Sequence, residues 1–132
     1  MILFGLHDYG GLLLKTILLA DYDESIIAKQ RDILTECGYE IIGESQTVTQ
    51  AIDDFNMLRP DLTILDIDLI NFDGIRAIKG IKAIDKNALI IMCSKLGTHV
   101  CVIESVQLGA RDFIVKPFAP ERLIEAVKKV IG

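Results

Sequence analysis

The chain has 132 residues, half of them apolar and a quarter charged, which suits one domain with a single substantial core. A formal charge of −5, no basic stripe, few aromatic residues and no Trp argue against binding to nucleic acid or to an anionic membrane. Cys37, Cys93 and Cys101 match neither a disulfide framework nor zinc spacing, and so read as reduced thiols of a cytoplasmic protein, with Cys37 and Cys93 in apolar settings.

Residues 1–14 form an apolar arm. The run has no Lys or Arg near its start and is broken by His7, Asp8 and Gly10-Gly11, so it is neither a signal peptide nor a membrane span. An extra strand, a partner-binding arm and a mis-assigned start stay open for it. His7 and His99 have no Cys or His at ligand spacing and read as partly exposed side chains.

From residue 15 onward, short apolar runs alternate with helix-period segments. Thr16–Ala20 is a predicted strand. Glu24–Cys37 is a predicted helix with Ile26, Ile27, Ile33, Leu34 and Cys37 on one face, stopped by Gly38. A strand over Glu40–Glu44 and a helix over Thr47–Leu58 follow, with Pro60 just past the helix end. Leu62–Leu65 is the third strand, and Gly74–Ala83 the third helix. Ala88–Cys93 and Thr98–Leu108 are the fourth strand and helix, closed by Gly109. Phe113–Val115 and Glu121–Ile131 complete five βα units, with no repeat and no linker.

Strands without polar alternation, joined by helices, predict a doubly wound α/β domain: a five-stranded parallel sheet with helices on both faces. Ligands of such sheets bind beyond the carboxyl ends of the strands. Those ends carry Asp21, Tyr22 and Asp23 after strand 1, Asp66 and Asp68 after strand 3, Ser94 and Lys95 after strand 4, and Lys116-Pro117 after strand 5. Glu44 and Ser45 end strand 2, whose place is peripheral. Acids, a hydroxyl and a lysine on one edge suit phosphoryl transfer to a carboxylate. An Asp is the nucleophile, a hard cation such as Mg²⁺ sits on carboxylate oxygens, and Lys and Ser meet the phosphoryl oxygens. Each residue alone would be a cap, a turn residue or a surface charge; their joint occurrence at four strand ends favours the chemical reading.

With these residues in view, the chain from about Lys15 onward resembles a response-regulator receiver domain. It is most similar to the stand-alone chemotaxis receivers of Gram-positive and thermophilic bacteria. The stretches RPDLTILDIDL, FDGIRAIKGI, IIMCSKLG and LGARDFIVKPF carry the resemblance. It implies a flavodoxin-like sheet of order 2-1-3-4-5. It implies Asp66 as acceptor of a phosphoryl group from a sensor histidine kinase, and Mg²⁺ held by Asp21, Asp66 and the backbone of Asp68. Ser94 and Lys116 would contact the phosphoryl group, with a cis bond between Lys116 and Pro117. Ser94 and Phe113 would be the switch pair, and helix 4, strand 5 and helix 5 the face read by a downstream target. The protein would be a monomer or weak homodimer, with at most self-phosphorylation and self-dephosphorylation activity.

Three positions depart from the family pattern. Tyr22 stands where a second acid is usual and is a poor metal ligand, so Asp23 or the Asp68 side chain becomes a substitute; capping of the first helix is the favoured role for Asp23 and Glu24. Ile70 replaces the usual Pro. Gly80 lies inside the third helix, at a cost of up to about 1 kcal/mol relative to Ala. Tyr22 supports an alternative, a degenerate receiver that binds partners or dimerises without phosphorylation. The Asp66-x-Asp68 pair also resembles the nucleophile pair of haloacid-dehalogenase phosphohydrolases, but that pair usually lies on the first strand.

Overall fold

Thr16–Ala20 (β1) is buried along its whole length, as are Leu62–Asp66 (β3) and Ile90–Ser94 (β4), which explains why these segments lack polar alternation. The computed structural model describes residues 8–9, 12–67, 74–95 and 99–132. Glu40–Ser45 (β2) and Asp112–Val115 (β5) are less covered, and they form the two edges. The parallel order is β2-β1-β3-β4-β5, as the resemblance implied, with a register shift between Ile17 and Leu18 on the β2 side.

Helices follow each strand: Glu24–Glu36 (α1), Val48–Leu58 (α2), Gly74–Ile84 (α3), His99–Gln107 (α4) and Pro120–Ile131 (α5). Their local chemistry sets their ends. Asp23 caps α1 by accepting the Ser25 backbone N–H at 2.9 Å, with Glu24 in the first turn. Thr47 caps α2 through the Gln50 N–H. Gly38 and Gly109 take positive φ just past α1 and α4, where a side chain would be strained. Pro120 opens α5, where its missing N–H costs nothing.

Side chains that alternate along the strands fill two cores. Leu18, Leu65 and Met92 meet α2 and α3 through Phe55, Ile78 and Ile81. Ile17, Leu19, Ile64 and Ile91 meet α1 and α5 through Ile27, Leu34, Leu123 and Val127. The inward face of α1 differs from the expectation. Its buried residues are Ile27, Gln30 and Leu34; Ile26 and Ile33 are half-buried, and Cys37 is exposed at the helix end. Counting apolar residues missed Gln30, whose amide is accommodated inside by a contact to the Cys93 sulfur at 3.8 Å. In the arm, Asp8–Tyr9 and Leu12–Leu13 pair antiparallel. No described helix is long and apolar enough to cross a membrane.

Candidate functional site at the carboxyl edge of the sheet

Four of the predicted residues meet where β1, β3, β4 and β5 end. Asp21, Asp66, Ser94 and Lys116 are all buried, at 1%, 1%, 1% and 5% exposure. Lys116 Nζ donates to Asp21 Oδ2 at 2.5 Å and lies 3.2 Å from Asp66 Oδ2. One ammonium thus serves two carboxylates from separate strands. Burial works against its charge, but the hydrogen bond to Asp21 and the negative charges of Asp66 and Asp21 prevail, holding Lys116 above the ordinary lysine pKa.

Backbone contacts fix these groups. Asp21 N–H donates to the Ser45 carbonyl at 2.9 Å, and Lys116 N–H to the Ser94 carbonyl at 2.7 Å. The other Asp21 oxygen accepts the Asp23 N–H. The Lys116–Pro117 peptide is cis. Lys29 of α1 donates to the Phe118 carbonyl at 3.2 Å and stands over the Phe118 ring, bracing the segment that carries Lys116. This brace was not foreseen, because Lys29 lies 89 residues from Phe118 on the exposed side of a helix. α3 starts hard against the β3 end: a Cβ on Gly74 would stand 2.4 Å from the Ile67 Cα and 2.7 Å from the Asp66 carbonyl. Cys93, buried beside Asp66 in the β3–β4 register, has its thiol pushed by burial up to about 12, so it is protonated and inert at neutral pH.

Tyr22 does not enter this pocket. It is 40% exposed, and its hydroxyl accepts from Lys95 Nζ at 3.0 Å. Asp23 is committed to its cap, and the Ser25 hydroxyl, followed by the Ser25 backbone N–H, lowers its pKa by donating to it. Phe113 is half-buried and packs against the α2–α3 core. Asp68 and Ile70 lie outside the described residues.

Mg²⁺ is commonly held by one or two carboxylates, with water and phosphate oxygens completing its shell. Asp21 and Asp66 meet that minimum. Tyr22 adds no ligand, and no cluster of three or more His, Cys, Asp or Glu side chains that could hold a metal occurs among the described residues.

The model of the response regulator receiver domain matches residues 17–128. Among curated relatives, the chemotaxis protein CheY of Thermotoga maritima is 43% identical over 116 residues, covering 88% of this chain and 97% of that protein. CheY of Bacillus subtilis is 42% identical over the same shares. Among solved structures, a chain of the CheX–CheY–BeF3–Mg²⁺ complex from Borrelia burgdorferi superposes with a TM-score of 0.87 at 28% identity, covering 97% of this chain and 96% of that one. With most of its length and of theirs accounted for in this way, the chain belongs to the response regulator receiver domains, of the CheY type.

Proposed function

We infer that Asp66 accepts a phosphoryl group from a phosphohistidine on a sensor kinase, and that this switches a partner-binding face. The observation that carries the reading is the buried Lys116 ammonium held between Asp21 and Asp66. An Asp66 oxygen attacks phosphorus, and the bond from phosphorus to the imidazole nitrogen breaks, its electron pair staying on the nitrogen. Lys116 faces the transferred oxygens, and the Ser94 hydroxyl donates to one of them. Asp21 and Asp66 would hold Mg²⁺, with the backbone of Asp68 as a further ligand. When bound, that cation supplies positive charge to offset the phosphoryl oxygens.

The output is a population shift. The phosphoryl group adds charge and acceptor oxygens at Asp66, and Ser94 and Lys116 engage them in one of two arrangements of the domain. Phe113 follows Ser94, and the α4–β5–α5 face changes for a downstream target. Exposed Ile103, Val106 and Val115 give that face its apolar surface. The arm of residues 1–14 precedes this receiver unit and is not needed for the chemistry. The domain works as a monomer or weak homodimer and is a switch with at most self-phosphorylation and slow self-dephosphorylation, so it turns over no generic phosphate ester.

Intact mass after incubation with Mg²⁺ and a small phosphodonor is the test. The wild type gains one phosphoryl group and Asp66→Asn gains none. Tyr22 favours a second reading, a receiver that binds partners without phosphorylation. No gain in the wild type, with the beryllofluoride adduct also absent, would establish that reading instead.

A further inference from the structure

The sheet order puts β3 between β1 and β4. A contact between the residue after Asp21 and the residue after Ser94 therefore passes across the end of β3, where Asp66 stands. The Lys95–Tyr22 hydrogen bond is such a contact, joining strand ends 73 residues apart in sequence. Both side chains are exposed, whereas Asp21 and Asp66 are buried, so the bond lies on the solvent side of the acids.

The bond also changes the charge of the mouth. Asp21 and Asp66 contribute two negative charges and Lys116 and Lys95 two positive ones, and the capping Asp23 adds one further negative charge near Lys95. Lys95 remains charged at neutral pH: its bond to Tyr22 raises its pKa, although the Lys116 ammonium opposes it. The Tyr22 hydroxyl, as acceptor, directs the ammonium across the mouth instead of leaving it on a free stem.

We propose that Lys95, placed by Tyr22, is a second cationic binding residue for the phosphoryl group on Asp66, and that its charge takes over part of the compensation a divalent cation provides. This rests on Asp66 being the phosphoryl acceptor. Loading the phosphoryl group adds negative charge at Asp66, and the Lys95 and Lys116 ammoniums offset part of it even with little metal. The same positive charge weakens the attraction for Mg²⁺.

The full chain tests this with two readouts. Mg²⁺ affinity is followed by amide chemical shifts during titration. The initial rate of one-phosphoryl mass gain from phosphoramidate is compared in metal-depleted buffer and at saturating Mg²⁺. Tyr22→Asp is expected to tighten Mg²⁺ binding by about tenfold, the worth of one added charge-assisted contact. Wild type is expected to load in metal-depleted buffer, and Lys95→Gln to lower that rate by about tenfold while changing the Mg²⁺-saturated rate less. Tyr22→Phe, which keeps the ring and removes the hydroxyl, is expected to shift the metal-depleted rate in the same direction. Lys95 is exposed, and an unchanged amide spectrum shows that the variant is folded. A metal-depleted rate indifferent to Lys95→Gln, or loading that depends wholly on Mg²⁺, overturns this proposal alone. No loading at any Mg²⁺ concentration overturns the acceptor reading and the proposal together.

Discussion

Replacing Lys116 with methionine leaves the Asp21 and Asp66 carboxylates buried with no ammonium between them. Removing one partner of a buried ion pair costs about 3–5 kcal/mol, and urea unfolding of Lys116→Met is expected to show a loss of that order. Adding Asp66→Asn to Lys116→Met removes the second unpaired charge and should recover part of it, a coupling that a double-mutant cycle reads directly. The pH dependence has a definite sign. Because the folded-state pKa of Lys116 lies above its ordinary value of 10.5, its stabilisation is complete below that pH and fades as pH rises through the folded value. The difference in melting temperature between wild type and Lys116→Met should narrow on the alkaline side of 10.5. Asp21, Asp66, Ser94 and Lys116 were legible in sequence because each directly follows an apolar run, and a parallel sheet brings such positions to one edge. The Tyr22–Lys95 bond was not legible, because it joins two loops whose approach depends on strand order and on side-chain direction.

Helix α3 shows how an element can contradict its own propensity. Gly80 reads as a weakness, and alanine there should add up to about 1 kcal/mol of helix stability. The packing explains the glycine, since a Cβ at this position would stand 2.3 Å from Ile52 Cδ1 of α2. Gly80→Ala is therefore expected to give no rise in the urea midpoint. In an Ile52→Ala background, which removes both Cδ1 and the Cγ1 atom 2.9 Å from that Cβ, it should give a favourable coupling of about 0.5–1 kcal/mol. Gly74→Ala meets backbone rather than a side-chain tip and should destabilise by about 1–3 kcal/mol. Because the clash is with the β3 end, Gly74→Ala should also slow Asp66 phosphorylation. Element boundaries were otherwise legible to within a residue or two, since caps and glycines mark them. The α1 face was misread at Gln30 and Cys37: periodicity counts apolar residues, whereas burial at position 30 depends on an amide finding the Cys93 sulfur across the core.

At the scale of the molecule, the chemistry lies at one end of the sheet, so the other end offers an independent probe of stability. Asp112, at the start of β5, holds Arg122 of α5 through contacts of 3.0 and 3.2 Å. Burial tends to raise the Asp112 pKa, but Arg122 and the Phe113 N–H outweigh it and set it below 3.8. Its contribution is thus present above that pH and lost as pH falls through the folded value. The pair is partly exposed, so Asp112→Asn should cost only about 0.5–1 kcal/mol at neutral pH, vanishing at strongly acidic pH, with the rate of Asp66 loading unchanged. The alternation of apolar runs and amphipathic helices was enough to read a doubly wound sheet. The order of its strands was not contained in that pattern, because right-handed crossovers permit several orders; it came from the family resemblance and agrees with the structure.

The grip of Lys29 on the Phe118 carbonyl gives α1 a thermodynamic stake in the site. If the Lys116 segment sits differently in the loaded and unloaded domain, that contact differs in free energy between the two states. Linkage is then reciprocal: a protein that docks on α1 and takes up the Lys29 ammonium would alter phosphoryl affinity by the factor by which loading alters its own. A single surface lysine would let the chemistry at the carboxyl edge of the sheet and a bound partner report on each other without a contact between them.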